Sequence, residues 1–277
     1  VEALLKDGDE KTLARSDLAQ PLVTLANLSA AACLEERGFC AAATAGHSLG
    51  EYAALVQAAI ISAEDCFTLV VERGRIMQAV SDELAQGDGA PGMAAVIGLD
   101  PETVDALLSR WDLQDLYAAN YNSKRQLVVS GSAAALAEAE KRFKEAGARR
   151  VLPLKVAGPF HSPLMAKAAR EFAPALEKVS FNDPRIPFFS NVTGRAAGSG
   201  AEAKELALKQ ITSPVRWTLE EEALAASELT ALVEAGPGRT LQGLWKDSGS
   251  PLPCYGAGTI EEIDRLGAEL SPQAQEA

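Results

Sequence analysis

The amino-acid sequence predicts an α/β fold in two parts: a large domain with a mostly parallel sheet, residues 1–87 and 157–277, and a smaller subdomain inserted into it, residues 88–156. Three observations carry this expectation. Helical and strand-like segments alternate through both outer stretches, a β-α-β-β-α-β rhythm fills the middle, and Gly- and Pro-rich junctions bracket that middle. The junctions are Gly87-Asp88-Gly89-Ala90-Pro91-Gly92 and Gly158-Pro159. A chain of 277 residues, 47% hydrophobic and 23% charged, is long enough to bury cores of this kind.

In chain order, apolar residues at Leu22, Leu25, Ala26, Ala32 and Cys33 are spaced for a helix over 21–37, with Pro21 near its start and Gly38 past its end. Phe39 to Ala45 reads as a short strand and Glu51 to Ile60 as an Ala-rich helix, with Gly46-His47-Ser48-Leu49-Gly50 between them. In the middle, Met93–Leu99, Leu116–Asn122, Gln126–Gly131 and Arg149–Val156 read as strands. Pro101–Leu108 and Ala133–Ala146 read as helices, completing the split ferredoxin-like pattern. Afterwards come helices over 163–179, 203–211, 218–226 and 238–247 and strands over 186–192 and 229–234, with a loose tail from Ser271 to Ala277.

Composition narrows the function. A net charge of −12, without clustered Lys and Arg beyond Arg149 and Arg150, excludes a nucleic-acid surface. The longest uncharged run, Leu18 to Leu34, is broken by Gln20, Pro21, Thr24, Asn27 and Ser29, so no membrane span is expected. Cys33, Cys40, Cys66 and Cys254 lack CxxC spacing, and with two histidines they make a poor metal site. They read as reduced thiols, most of them buried, in a cytoplasmic protein.

Gly46-X-Ser48-X-Gly50 between strand and helix has the form of a nucleophile elbow, where glycines allow a tight turn that lifts the serine into a cleft. This elbow also marks the large domain as α/β-hydrolase-like. The helix start, beginning with the Leu49 N–H, offers donors to an oxyanion. Serine needs a base, and the chain has two histidines. His47 neighbours Ser48 and is expected to pack or hydrogen-bond beneath the turn. His161, in the rigid loop Gly158-Pro159-Phe160-His161-Ser162-Pro163, is the better base. The group that orients it stays open between Asp183, Asp247, several glutamates and a backbone carbonyl.

Together these pieces resemble the malonyl-CoA:acyl-carrier-protein transacylases, the acyltransferases of fatty-acid and polyketide synthesis. The resemblance runs through Gly46 to Leu55, Glu72-Arg73-Gly74, Gly158 to Ser162, Ser190-Asn191-Val192, Gln210 to Trp217 and Glu234 to Gly238. It implies a Ser48–His161 dyad with a carbonyl near Gln210 orienting the imidazole, and Arg73 for the free carboxylate of a malonyl group. Phe160 is similar to the aromatic of malonyl-selective members. Arg73 suits that role because a guanidinium grips a carboxylate with two parallel hydrogen bonds; the alternative is a surface ion pair with Glu72 or Glu83. The resemblance also implies malonyl-CoA as substrate, an acyl carrier protein as acceptor, and no metal or redox cofactor. Family members usually carry a Gly-Gln-Gly loop several dozen residues before the serine, and none precedes Ser48, so an incomplete chain is expected.

Two other readings compete with this one. A serine esterase of the α/β-hydrolase type normally places its histidine near the chain end, unlike His161. A catalytically silent scaffold would rest on the absent loop alone. Because carrier proteins are generally acidic, docking should use a local basic patch near Lys167, Lys204, Lys209 or Arg216.

Overall fold

The fold is known from a computed structural model that describes residues 12, 15–87 and 89–270. It is α/β, with helices and strands intermixed. Helix α1 (Ser16–Glu36) begins earlier than its spacing predicts and carries Pro21 inside it. Tertiary contacts explain the earlier start. The Ser16 N–H donates to Gln78 Oε1 at 2.8 Å, and Gly74 lets the two helices touch, since a Cβ there would lie 2.5 Å from Ser16 O. Helix α2 (Gly50–Gln57) follows the serine turn. Helix α3 (Ala63–Leu84), capped by the Ser62 hydroxyl on the Asp65 N–H, buries Cys66, Leu69, Val70, Arg73, Ile76, Met77 and Val80.

The middle of the chain forms β1 (Gly92–Ile97), α4 (Pro101–Trp111), β2 (Leu116–Ser123), β3 (Gln126–Gly131), α5 (Ala133–Glu145) and β4 (Arg150–Pro153). The strands make one sheet in the order β4-β1-β3-β2, antiparallel throughout. Asp100 and Ser132 cap the two helices, and Pro101 fills the first helical position, where its missing N–H costs nothing. Alternation then sorts the side chains. Ala94, Val96, Leu127 and Val129 face the helices with Val104 and Phe143, while Met93, Ala95, Ala119 and Val128 face the other way and meet Phe160.

The outer edge of β2 is not free. Tyr121 N–H donates to Val215 O at 2.9 Å and Val215 N–H to Ala119 O at 2.8 Å, which ties this sheet to the segment that follows Gln210. The remaining elements are a 3₁₀ turn (Pro163–Met165), α6 (Ala166–Glu177), α7 (Gly200–Lys209), α8 (Trp217–Ala225), β5 (Leu232–Ala235), α9 (Thr240–Ser248), β6 (Cys254–Ala257) and α10 (Ile260–Glu269). Tyr52, Leu55, Ile60, Leu69, Met165, Phe172, Phe188 and Ile211 form the large core under the serine turn.

Several expectations need correction. The strands expected over 39–45 and 186–192 reduce to one parallel bridge, Thr44 to Phe188, and one antiparallel bridge, Phe189 to Ala196. Pro187 lacks an N–H for a ladder, and Asn191 turns its groups toward the serine turn instead. Among the described residues, regular parallel pairing occurs between β5 and β6. The helix expected over 163–179 is split by the 3₁₀ turn, and β4 stops at Pro153. Only Cys66 is buried; Cys33 and Cys254 are half-buried and Cys40 is exposed beyond the end of α1. The tail from Ser271 lies outside the described residues.

Candidate active site

The turn from Gly46 to Gly50 folds tightly because the incoming chain passes almost through the first turn of α2. A Cβ on Gly46 would lie 2.2 Å from Gly50 C and O and 2.5 Å from Glu51 N, all of them backbone atoms that cannot swing aside. Gly46→Ala is therefore expected to destabilise the fold by more than about 3 kcal/mol, read as loss of the cooperative thermal transition or of soluble yield. Beyond this turn Ser48 takes φ +52°, in the left-handed region that a serine rarely enters.

The second loop is held just as closely. Gly158 lies against α3, where a Cβ would meet Ser81 Oγ at 2.0 Å, and Ser162 Oγ donates to Pro159 O at 2.6 Å. His161 at the tip has φ +57°, so both chemically interesting residues sit in a strained backbone conformation that the surrounding packing imposes. This loop brings His161 Nε2 within 2.7 Å of Ser48 Oγ, across 113 residues of sequence.

Hydrogen bonding fixes the imidazole tautomer. His161 Nδ1 lies 3.0 Å from the Gln210 carbonyl oxygen, which can only accept, so Nδ1 carries the proton and Nε2 presents a lone pair to the serine hydroxyl. Of the four possibilities left open by sequence, the backbone carbonyl occupies the position. Asp183 instead accepts the Gly200 N–H at 2.9 Å. Burial, and next the positive charge of Arg73, push the His161 pKa down to about 3, against the opposing bond from Gln210. The imidazole is thus neutral at every pH where the unperturbed side chain would begin to protonate.

His161 lowered below its ordinary value stays neutral as pH falls through 6.5, so Ser48 acylation should show no acid limb there from this group. The same shift makes the fold lose stability on acidification below 6.5, because only the unfolded chain then binds the proton. Burial raises the Glu51 carboxyl to about 7. Burial raises Glu220 as well and Glu221 to about 7, so in a variant with all three glutamates replaced by Gln the kcat/KM profile should run flat to roughly pH 5. An inflection at 6.5 in that variant would contradict this account of the base.

His47 points away from the serine. Its Nε2 lies 2.8 Å from Asn122 Oδ1 and its ring meets Trp217 edge-on at 5.5 Å. Leu49 precedes the first residue of α2, and its N–H has no acceptor among the described residues. Phe160 is half-buried, packed against both the large core and Met93, Ala95, Ala119 and Val128 of the sheet.

Arg73 is 2% exposed, which removes the surface ion-pair alternative. Glu72 pairs with Arg75 and Glu83 with Lys167. The Arg73 guanidinium donates from Nη1 to Gln20 Oε1 at 2.7 Å and from Nη2 to Gln210 Oε1 at 3.0 Å, and stands 5.3 Å from the Tyr52 ring centre. Both acceptors are neutral amides, and Nε has no partner among the described residues. A buried cation satisfied only by neutral groups favours an incoming anion. Lys167, Lys204 and Lys209 do not make a bare basic patch, since Glu83, Glu177 and Glu205 pair with them. Arg216 lies over the Tyr121 ring at 5.6 Å. Among the described residues, no group of three His, Cys, Asp or Glu is arranged to hold a metal ion.

Residues 1–253 match the acyl transferase domain family. The chain is 35% identical over 268 residues to the malonyl CoA-acyl carrier protein transacylase of Bacillus subtilis, covering 95% of this chain and 82% of that one. The chain belongs to the acyl transferase domain family. Among solved members, the malonyl CoA-acyl carrier protein transacylase of Coxiella burnetii superposes with a TM-score of 0.90 at 30% identity, covering 97% of this chain and 84% of that one. A malonyl-transacylase solved in complex with its type II PKS acyl-carrier protein gives 0.90 at 33% identity, covering 98% and 86%.

Within this acyl transferase domain, sequence reasoning assigned no role to Gln20, Asn122 or Asn191, which bond directly to Arg73, His47 and the serine turn, nor to Glu51, whose carboxylate accepts the Asn191 N–H. Gln20 and Asn191 had a usable signal. Each is a polar residue in a stretch otherwise read as apolar, and each is buried.

Proposed function

We propose that the chain transfers a malonyl group from malonyl-CoA to the phosphopantetheine thiol of an acyl carrier protein, in fatty-acid or polyketide biosynthesis. Ser48 is the nucleophile, His161 the base, the Gln210 carbonyl its orienting group, the Leu49 N–H an oxyanion donor and Arg73 the carboxylate anchor. The observation that carries this reading is that a neutral Nε2 faces Ser48 Oγ at 2.7 Å while a buried guanidinium, held by neutral amides, shares Gln210 with that histidine. The names of the relatives, and the carrier-bound neighbour, support the donor and the acceptor.

In the first half-reaction, His161 Nε2 takes the Ser48 proton as Oγ attacks the thioester carbonyl. The oxyanion forms toward the Leu49 N–H and the positive end of α2, the C–S bond breaks, and the imidazolium returns its proton to the departing sulfur. In the second, the carrier thiol gives its proton to His161 and its sulfur attacks the acyl ester. The C–O bond then breaks and Ser48 is reprotonated. No step requires a metal or redox cofactor.

Residues 88–156 act as the ferredoxin-like subdomain in this reading, inserted in an α/β-hydrolase-like domain of residues 1–87 and 157–277. The strand order β4-β1-β3-β2 and a hydrophobic core confined to residues 94–151 support the division. Phe160 packs against both the large core and the small sheet, and its bulk near the acyl α-carbon favours malonyl over branched groups. A cytoplasmic setting suits the four free cysteines; no helix among the described residues is long and apolar enough to cross a membrane.

The test supplies malonyl-CoA with holo-carrier protein and separates the products. Malonyl-carrier as the main product supports transfer, and free malonate formed at the same rate with or without carrier identifies a thioesterase instead.

A further inference from the structure

Beneath the serine turn lies one residue whose hydrogen bonds join that turn to Gln210 and Glu220. We propose that Asn191 is the positioning residue that sets Ser48 for attack, clamping the two peptides on either side of His47 that lead into the nucleophile and tying them to the residue that holds the base. The proposal rests on the reading of Ser48 as the nucleophile.

Asn191 is fully buried. Its Oδ1 accepts the Ser48 N–H at 2.7 Å and Gln210 Nε2 at 3.1 Å, and its Nδ2 donates to Gly46 O at 2.7 Å and Glu220 Oε1 at 2.9 Å. Two acceptances and two donations are the whole capacity of a side-chain amide. Its own backbone is anchored as firmly, with the N–H donating to Glu51 Oε2 at 2.7 Å and the carbonyl accepting the Arg216 N–H at 2.8 Å. The amide is therefore a rigid plate that cannot rotate without breaking four bonds.

The contacts fall where they matter. Gly46 O and Ser48 N belong to the two peptides that flank His47, so one planar amide fixes the direction in which the chain enters and leaves the turn. This constraint holds Ser48 at φ +52° against its ordinary preference. Because the Ser48 N–H is committed to Asn191, it does not point into the cleft, and the next N–H, that of Leu49, is left for an oxyanion.

Gln210 extends the clamp. Its Nε2 donates to Ser48 O at 2.9 Å as well as to Asn191, its Oε1 accepts from Arg73, and its backbone carbonyl holds His161. Serine, histidine and arginine thus hang from two adjoining amides. Asn191 itself contacts neither Ser48 Oγ nor the imidazole, so its influence runs through the backbone.

Only an asparagine suits the position. Alanine abolishes all four bonds. Aspartate keeps an oxygen for the Ser48 N–H but loses the donors to Gly46 and Glu220, and adds a carboxyl beside Glu51 and Glu220, which burial already drives toward the neutral form.

The experiment labels Ser48 with a fluorophosphonate, which reports nucleophile reactivity whatever the natural acyl donor, and adds steady-state kinetics with malonyl-CoA. Asn191→Ala should label about 30- to 100-fold more slowly than the wild type, and Asn191→Asp by a smaller factor because it keeps one clamp bond. In both variants kcat should fall in step with labelling while KM stays within about twofold, the pattern of a group that aligns the reaction without binding substrate. Wild-type labelling rates in either variant, shown folded by a cooperative thermal transition, overturn the proposal, as does a raised KM with unchanged labelling. A wild type that reacts with the probe but not with malonyl-CoA rejects the malonyl reading alone and leaves the clamp to be judged by the labelling rates.

Discussion

Replacing Ser48 with alanine is expected to lower malonyl transfer to a carrier protein by at least about 10⁴-fold, leaving KM for malonyl-CoA near its wild-type value. The size follows from what is lost. Without Oγ there is no covalent intermediate, and the neutral Nε2 of His161, aimed at that oxygen from 2.7 Å, has no nucleophile to activate. Stability should change little, because the turn is held by Gly46, by Asn191 and by the Ser48 backbone rather than by its hydroxyl. His161→Ala should cost a similar factor, and the double variant scarcely more, since the two groups act as one unit. Transfer rates for both single variants and the double variant check this. Residual activity within a hundredfold of wild type in Ser48→Ala would place the nucleophile elsewhere.

The second large effect concerns acyl selectivity. Arg73→Ala is expected to reduce kcat/KM for malonyl-CoA by about 10²- to 10³-fold, the cost of leaving a desolvated carboxylate without its charged partner. Acylation from acetyl-CoA should be unchanged or faster. The geometry carries the argument. The guanidinium is buried, hydrogen-bonds the amide oxygens of Gln20 and Gln210 and stands over the Tyr52 ring, and its Nε has no partner among the described residues, so a carboxylate gains more there than in water. Arg73→Lys keeps the charge but not the fork, and should recover only part of the loss. Parallel acylation rates from the two thioesters distinguish this from general damage, which would slow both alike.

Much of the small sheet was legible in the sequence because its signals are local. Asp100-Pro101 and Ser132 start helices by capping, alternation marks the strands, and β3 falls on residues 126–131 as read. The large domain was harder. The stretches 39–45 and 186–192 have strand-like composition, yet pairing depends on partners far away in sequence, and Pro187 together with the demands of Asn191 left isolated bridges. The early start of α1 depends on Gln78 and Gly74 of α3, which periodicity within α1 cannot reveal.

At the site, the residues bearing distinctive chemistry stood out. Two histidines in 277 residues leave little choice of base, and a serine between close glycines gains weight from its place ahead of a helix rather than from the five residues alone. The amides that assemble these groups did not stand out, because Asn and Gln have no chemistry that marks them in a sequence. Gln20 and Asn191 offer only the weak signal of a polar residue in an apolar stretch, and the side-chain bonds of these two and of Gln210 become legible once burial shows that each must spend its hydrogen bonds on something. Lysines counted along the chain likewise look free until their glutamate partners are seen, as at Lys167, Lys204 and Lys209.

The most direct test of the central claim is the intact mass of the protein after brief mixing with malonyl-CoA, and separately with acetyl-CoA, without any carrier protein. A single malonyl adduct that maps to Ser48, forms with malonyl-CoA and not with acetyl-CoA, and disappears when holo-carrier is added is the result this account predicts. An unmodified protein beside intact malonyl-CoA, or an adduct on any residue other than Ser48, would contradict it.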